Sequence, residues 1–288
     1  MRQLLILLLF IPSLVSANER KADILTTLPA TFMLAQQLTL DTGLVVKNLA
    51  PTRYGIERLP GWFSNQGADE VEACTTEATA VVTLGSVWPA DPLFLHAREH
   101  NIKIINIDAG QALLPNGQSV ATLQLKQGIS PYVWLSNANL LLMAEIVTTD
   151  LKRLWPQHEK QIHNNYGALR NQMMALATNQ QASLINAGVD AVILLDEALE
   201  DFAVANDLFV LDRQFKPNLD WNENDQQAIK EVVKEEPDVW FLTTRTANRQ
   251  LLALLPKGAN VLRIEPINRW GRGISPETPL ERWQIQLD

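Results

Sequence analysis

The chain offers few side chains that could hold a metal or move a proton: four histidines, one cysteine and a scatter of carboxylates. His96 and His100 stand four apart in Leu93-Phe94-Leu95-His96-Ala97-Arg98-Glu99-His100, so on a helix they would share a face and could chelate an ion. Two imidazoles without a third ligand are more often a solvated face. His158 and His163 are five apart, a spacing that turns them away from each other. Cys74 has no partner for an internal disulfide and follows Val71 on an amphipathic segment, so it reads as a small buried hydrophobe. A reactive thiol needs a cationic neighbour, and the local sequence offers none. Asp196-Glu197 has acid/base chemistry in principle, but nothing orients a nucleophile beside it. The Gly-x-Ser-x-Gly elbow, the phosphate-binding Gly-x-x-x-x-Gly-Lys loop and the His-Glu-x-x-His helix are all missing, and Gly271-Arg272-Gly273 reads as a loop. No enzyme is expected.

Aromatic and basic residues suggest binding instead. Trp62, Trp88 and Trp134 follow strand ends or turns in the first half, and Arg245 follows Thr243-Thr244 at a strand end in the second. Open α/β sheets place ligands at the carboxyl edges of their strands. Indole faces with a guanidinium could hold an organic anion or a metal chelate by stacking and charge-assisted hydrogen bonds, which makes Trp62, Trp134 and Arg245 candidates for a ligand cleft. Core packing is the commoner role for each tryptophan taken singly.

The elements that must position these residues alternate. Short β-branched runs at Ile24-Leu25-Thr26-Thr27, Leu44-Val45-Val46-Lys47, Ala80-Val81-Val82-Thr83 and Ile102-Lys103-Ile104-Ile105 are separated by helical patterns, which predicts βαβ units and a mostly parallel sheet. From Ser136, a good N-cap, Leu140, Met143, Ala144, Val147 and Leu151 keep helical spacing to Trp155-Pro156. Residues 158–186 are polar and helix-forming, with a sparse stripe of Ile162, Tyr166, Leu169, Met173, Leu176 and Leu184, as suits a helix crossing between two bodies. Alternation then resumes, with strands expected near Val192, Val210, Phe241 and Leu262 and helical patterns over 197–205, 225–235 and 246–254. The fold class is therefore α/β: two α/β lobes with mostly parallel sheets joined by one long linking helix. The expected divisions are 1–17, 18–157, 158–186 and 187–288.

Residues 1–17 combine Arg2, an apolar run from Leu4 to Phe10, a Pro12 breaker and a Val15-Ser16-Ala17 ending, the pattern of a cleavable signal peptide. The run is shorter than the roughly 20 residues a membrane-spanning helix needs. A periplasmic, monomeric protein is expected. With 24 Lys and Arg against 32 Asp and Glu, net charge −8, a nucleic-acid partner is excluded because phosphate neutralisation needs a basic stripe.

Several short pieces, in this order, carry a resemblance: Thr26-Thr27-Leu28-Pro29, Val82-Thr83-Leu84-Gly85, Pro131-Tyr132-Val133-Trp134-Leu135-Ser136, Leu154-Trp155-Pro156-Gln157, Asp196-Glu197-Ala198-Leu199-x-x-Phe202 and Glu265-Pro266-Ile267. Over nearly the whole chain after the leader they resemble the periplasmic zinc/manganese solute-binding proteins of ABC importers. The resemblance implies two lobes around a rigid linking helix, a solute or metal ion held between them, modest lobe rocking, and an inner-membrane ABC permease as partner. It also implies a ligand set of histidines completed by a late Asp. Carried across, the first histidine falls near Gly61-Trp62-Phe63, where no side chain is a good ligand. The second falls on Tyr132, the third on Asp196 and the late Asp on Glu265.

That replacement changes the chemistry. Zinc prefers imidazole and thiolate, so Tyr132, Asp196 and Glu265 suit manganese or iron better, and a phenolate suits ferric iron. The tyrosine would first have to lose a proton whose reference pKa is near 10. An equally simple account has Tyr132 filling the cleft, Asp196 capping the helix that starts at Glu197, and Glu265 pairing with Arg263 or Arg269. Two functions follow: an importer's solute receptor with an altered, oxygen-rich metal site, or a paralogue of the same fold that binds no ion and serves as an accessory protein or takes an organic ligand or metal chelate.

Overall fold

The computed structural model describes residues 21–114 and 116–287; the leader expected over 1–17 lies outside them. Two four-stranded sheets, all parallel, form the framework. In the first, β1 (Ile24–Thr26) and β3 (Ala80–Thr83) are central, flanked by β2 (Val46–Asn48) and β4 (Ile105–Asp108) in the order β2-β1-β3-β4. In the second, β7 (Ala191–Leu194) and β9 (Trp240–Thr243) are central, with β8 (Phe209–Arg213) and β10 (Asn260–Arg263) in the order β10-β9-β7-β8. A short antiparallel pair, β5 (Gln124–Leu125) and β6 (Gly128–Ile129), stands apart.

The central strands are almost wholly buried because both faces are covered, and they are apolar except for a threonine at the carboxyl end of β1, β3 and β9. Their two-residue period then sorts side chains between cores. Ile24, Ala80 and Val82 of the first sheet, and Val192, Leu194 and Leu242 of the second, enter one shared cluster. Their neighbours Leu25 and Val81 face an outer cluster built on α2 (Leu59–Phe63), α3 (Ala68–Thr75) and α4 (Leu93–His100). Ile193 and Phe241 face another beside α8 (Glu223–Glu235) and α9 (Arg249–Leu254).

The shared cluster is organised by α1 (Pro29–Leu38), α5 (Asn137–Leu154) and α6 (Glu159–Ala187). Ser136 caps α5, its hydroxyl accepting from the Asn139 amide at 3.3 Å, as its position before the apolar stripe predicts. At about 1.5 Å per residue the 29-residue α6 is about 43 Å long. Near its start Asn165 donates to the Leu38 and Leu40 carbonyls; farther along, Gln180 donates to Asn206, after α7 (Glu200–Ala205). Gly188, at φ +68°, ends the helix in the left-handed conformation, its amide and that of Val189 returning to the Ile185 and Leu184 carbonyls.

After β10 the chain leaves the second sheet and packs against the first half. Gly271 donates to the Thr52 carbonyl, Trp270 meets Phe32 edge-on at 4.7 Å, and the Trp283 indole donates to the Trp134 carbonyl at 2.9 Å. The lobes are thus joined by the tail as well as by the helix.

Candidate functional site

The loops at the carboxyl ends of both sheets meet. After β2 come Arg53, Gly55, Glu57 and Arg58; after β9 come Thr244, Arg245 and Thr246; from the end of β10 come Arg263 and Glu265 through Arg269. Together with Arg282 they line a cleft of about 610 Å³. Glu57 also borders an adjoining hollow of about 260 Å³ whose walls include Trp88, Ile129, Tyr132 and Glu197. This is the position at which open parallel sheets place their ligands.

Tyr132 immediately precedes the short turn Val133–Leu135, and its hydroxyl lies 3.5 Å from Glu57 Oε1, the distance of a weak donation. Burial, followed by the Glu57 charge, pushes its phenol well above the usual range; Asn268 partly offsets this and Asp196 adds to it. Near neutral pH Tyr132 is therefore a donor. Asp196 does cap the turn that starts at Glu197: Oδ1 accepts from the Ala198 amide at 3.0 Å, and Oδ2 accepts from the Thr244 hydroxyl at 2.6 Å. Glu265 pairs with Arg282, Oε1 accepting from Nε at 2.8 Å, and with Arg272 at 3.7 Å, rather than with Arg263 or Arg269. Tyr132 and Glu265 sit in adjoining walls, and Asp196 stands close enough for its charge to act on the phenol, but both carboxylates are already satisfied by protein donors. Among the described residues no three His, Cys, Asp or Glu side chains gather into a metal-binding group.

Arg245 lies in the cleft wall, its amide donating to the Thr243 hydroxyl at 3.1 Å. Trp62 and Trp134, expected at the cleft, are core residues instead. Trp62 packs edge-on against Phe63 in the outer cluster and is 7% exposed. Trp134 is fully buried, its indole donating to the Pro266 carbonyl at 3.0 Å. A buried indole needs a partner for its N–H, and here a backbone carbonyl of the other lobe supplies it. His96 lies over Phe63 and beside Glu99, while His100 is exposed. Cys74 is half-buried and does have a cationic neighbour, Lys47 Nζ at 3.1 Å, contributed by β2 far from it in sequence.

The residues missed at the site are Arg53, Glu57, Arg58 and Asn268. Their signal was available: Arg53 and Arg58 flank Tyr54 just past a strand end, and both guanidinium groups lie over its ring, at 5.4 and 5.7 Å. Nearby Ile267 is buried with φ +52°, a conformation costly for a β-branched residue, on the order of 1–3 kcal/mol. The Trp134 bond to Pro266 and the Arg282 bonds to the Arg269 and Trp270 carbonyls hold the chain there.

A second buried contact between the halves adjoins the site. The hydroxyl of fully buried Ser130 donates to Asp201 on α7 and accepts from the Tyr132 amide at 3.3 Å. Burial raises the Asp201 carboxyl to about 6; Ser130 opposes the shift and Glu200 adds to it. Asp91, which accepts from the Leu84 and Leu93 amides, is likewise raised to about 6 by burial, with Asp108 adding slightly. An unfolded aspartate titrates near 3.9, so between about pH 4 and 6 the folded chain binds more protons, and stability falls as pH rises through that window. Each carboxyl should make the chain more stable at pH 5 than at pH 7 by about 1 kcal/mol. Urea midpoints at the two pH values check this, and Asp201→Asn should reduce the difference by about half, leaving the share of Asp91.

Neither a family model nor a curated protein matches the chain. Solved structures do. ZnuA is 19% identical, with 86% of this chain and 92% of that one aligned at a TM-score of 0.62. The Zn(II)-bound ZnuA-like domain of Streptococcus pneumoniae AdcA is 18% identical over 86% of this chain and 89% of that one, TM-score 0.67. The metal-dependent lipoprotein YcdH from Bacillus subtilis is 14% identical over 89% and 91%, TM-score 0.67. At these identities the likeness establishes the shared two-lobed fold.

Proposed function

We propose that this chain, which has the fold of zinc-binding and other metal-dependent binding proteins, is the extracytoplasmic solute-binding component of an ABC importer. It would capture a small solute between its lobes and present it to an inner-membrane permease. The observation that carries this reading is the cleft of about 610 Å³ shared by the carboxyl ends of two parallel sheets, within the size range of small-molecule sites. The long α6, the Ser130–Asp201 contact and the Trp134–Pro266 bond favour small rocking motions over wide opening.

A transition ion on Tyr132, Asp196 and Glu265 is the version suggested by the sequence resemblance. It requires the phenol to ionise, Asp196 to release Ala198 and Thr244, and Glu265 to release Arg282, so the geometry favours a solute held by the cleft as a whole. Native mass spectrometry of the chain isolated from its extracytoplasmic fraction tests capture. A stoichiometric adduct that leaves on denaturation is expected; a bare chain, or a chain confined to the cytoplasm, would count against the reading.

A further inference from the structure

We propose that the captured solute is a small organic polyanion, free or as its metal chelate, gripped by Arg53 and Arg58 from one lobe and by Arg245, Arg263 and Arg269 from the other. This rests on the capture reading and specifies its ligand. The cleft is lined by six arginines against two glutamates, in a chain whose net charge is −8. One quarter of the 24 basic side chains thus surround one hollow, against the overall balance. Arg282 is committed to Glu265, and among the described residues none of the other five has a carboxylate partner.

Five guanidinium groups around a shared space repel one another, and their field is focused by the protein walls. Of the two glutamates in the wall, Glu265 is taken by Arg282 and Glu57 carries a single charge against five guanidinium groups, so most of their charge is unbalanced, and an anion would balance it. Guanidinium is also the group best matched to oxyanions, through paired, charge-assisted hydrogen bonds. A bare cation meets the opposite situation: five guanidinium groups would repel it, and of the wall's two carboxylates Glu265 already belongs to Arg282, leaving the exposed Glu57 as a single ligand. Size argues the same way. An ion with bonds of roughly 2.0–2.6 Å fills only a corner of 610 Å³.

The adjoining hollow indicates an organic body rather than inorganic phosphate. Trp88, Ile129 and Tyr132 give it apolar walls, and the Tyr132 hydroxyl is a donor at the boundary between the two spaces. An anion with its carboxylates in the arginine cleft and its carbon frame toward Trp88 would contact both.

The test is isothermal titration of the chelator-treated, dialysed full chain after leader removal with succinate, citrate, ferric citrate, inorganic phosphate and zinc. Binding of citrate or ferric citrate, weakened by salt and by at least about tenfold in Arg58→Ala and in Arg245→Ala, is expected. Both arginines are solvent-exposed, so the fold should survive, which circular dichroism would verify. Equal binding of citrate and ferric citrate identifies the free anion as the source; binding of ferric citrate alone identifies the chelate. Zinc binding that survives both substitutions, with no polycarboxylate bound, overturns the inference and leaves capture standing. Phosphate binding without any organic anion also overturns it. If no probe binds, the anion assignment fails, and the mass-spectrometric adduct decides whether capture fails with it.

Discussion

Glu265→Ala is expected to destabilise the unliganded protein by about 3 kcal/mol or more, because the substitution strands a buried charge. Arg282 is 5% exposed. Its Nε donates to Glu265 at 2.8 Å, and its two terminal nitrogens donate to the Trp270 and Arg269 carbonyls at 3.0 and 3.1 Å. Without the carboxylate those carbonyls remain, but no negative charge offsets the guanidinium, since Arg272 is itself a cation. Glu265→Gln, which keeps an acceptor and loses only the charge, should fall between the variant and the wild type. Replacing both partners, Glu265→Ala with Arg282→Leu, should recover part of the loss, because coupled residues do not add. Urea denaturation of apo-protein gives the answer. If Glu265 were instead a free metal ligand, the alanine variant would match wild-type stability without metal and lose only the stabilisation that metal confers.

The framework was largely legible because it depends on local pattern. The runs around Val81, Val192 and Phe241 become strands buried on both faces, and the sparse stripe Ile162 to Leu184 becomes the inward edge of the long helix. Ser136 and Asp196 cap the turns they precede, since a cap needs only amides a few residues ahead. The pairings that depend on distant chain segments were not legible. Glu265 had two arginines within four residues, yet the tail brings Arg282 to it, while Arg263 and Arg269 lie in the cleft wall. The thiol of Cys74 meets Lys47 across the sheet edge. The two-residue strands β5 and β6 are too short for a period to register. The charge of the cleft was legible only in part: Arg53 and Arg58 stand close together in sequence, but Arg245, Arg263, Arg269 and Arg282 come from other segments of an acidic chain and join them only when the two sheets face each other.

Trp134→Ala should be among the most damaging single changes outside the sheets, costing about 3–5 kcal/mol, the usual range for deleting a buried large aromatic. Trp134 is fully buried where three stretches of chain converge. Its own turn carries Tyr132, whose ring centroid is 5.5 Å from the indole; the loop with strained Ile267 accepts its N–H through Pro266; and Trp283 of the tail donates to its carbonyl. Truncation opens a cavity at this junction and leaves the Pro266 carbonyl without its donor, so the backbone strain at Ile267 loses one of the bonds that offsets it. Trp134→Phe separates the two effects: it restores most of the volume but not the hydrogen bond, and should cost about 1–2 kcal/mol beyond the lost ring area. Thermal denaturation of both variants without ligand distinguishes this role from ligand stacking. A stacking residue would leave the empty protein near wild-type stability and weaken only binding, whereas a residue joining the lobes lowers stability first and disturbs the cleft as a consequence. An unliganded Trp134→Ala protein that melts with the wild type would show that the lobes are held together without this indole.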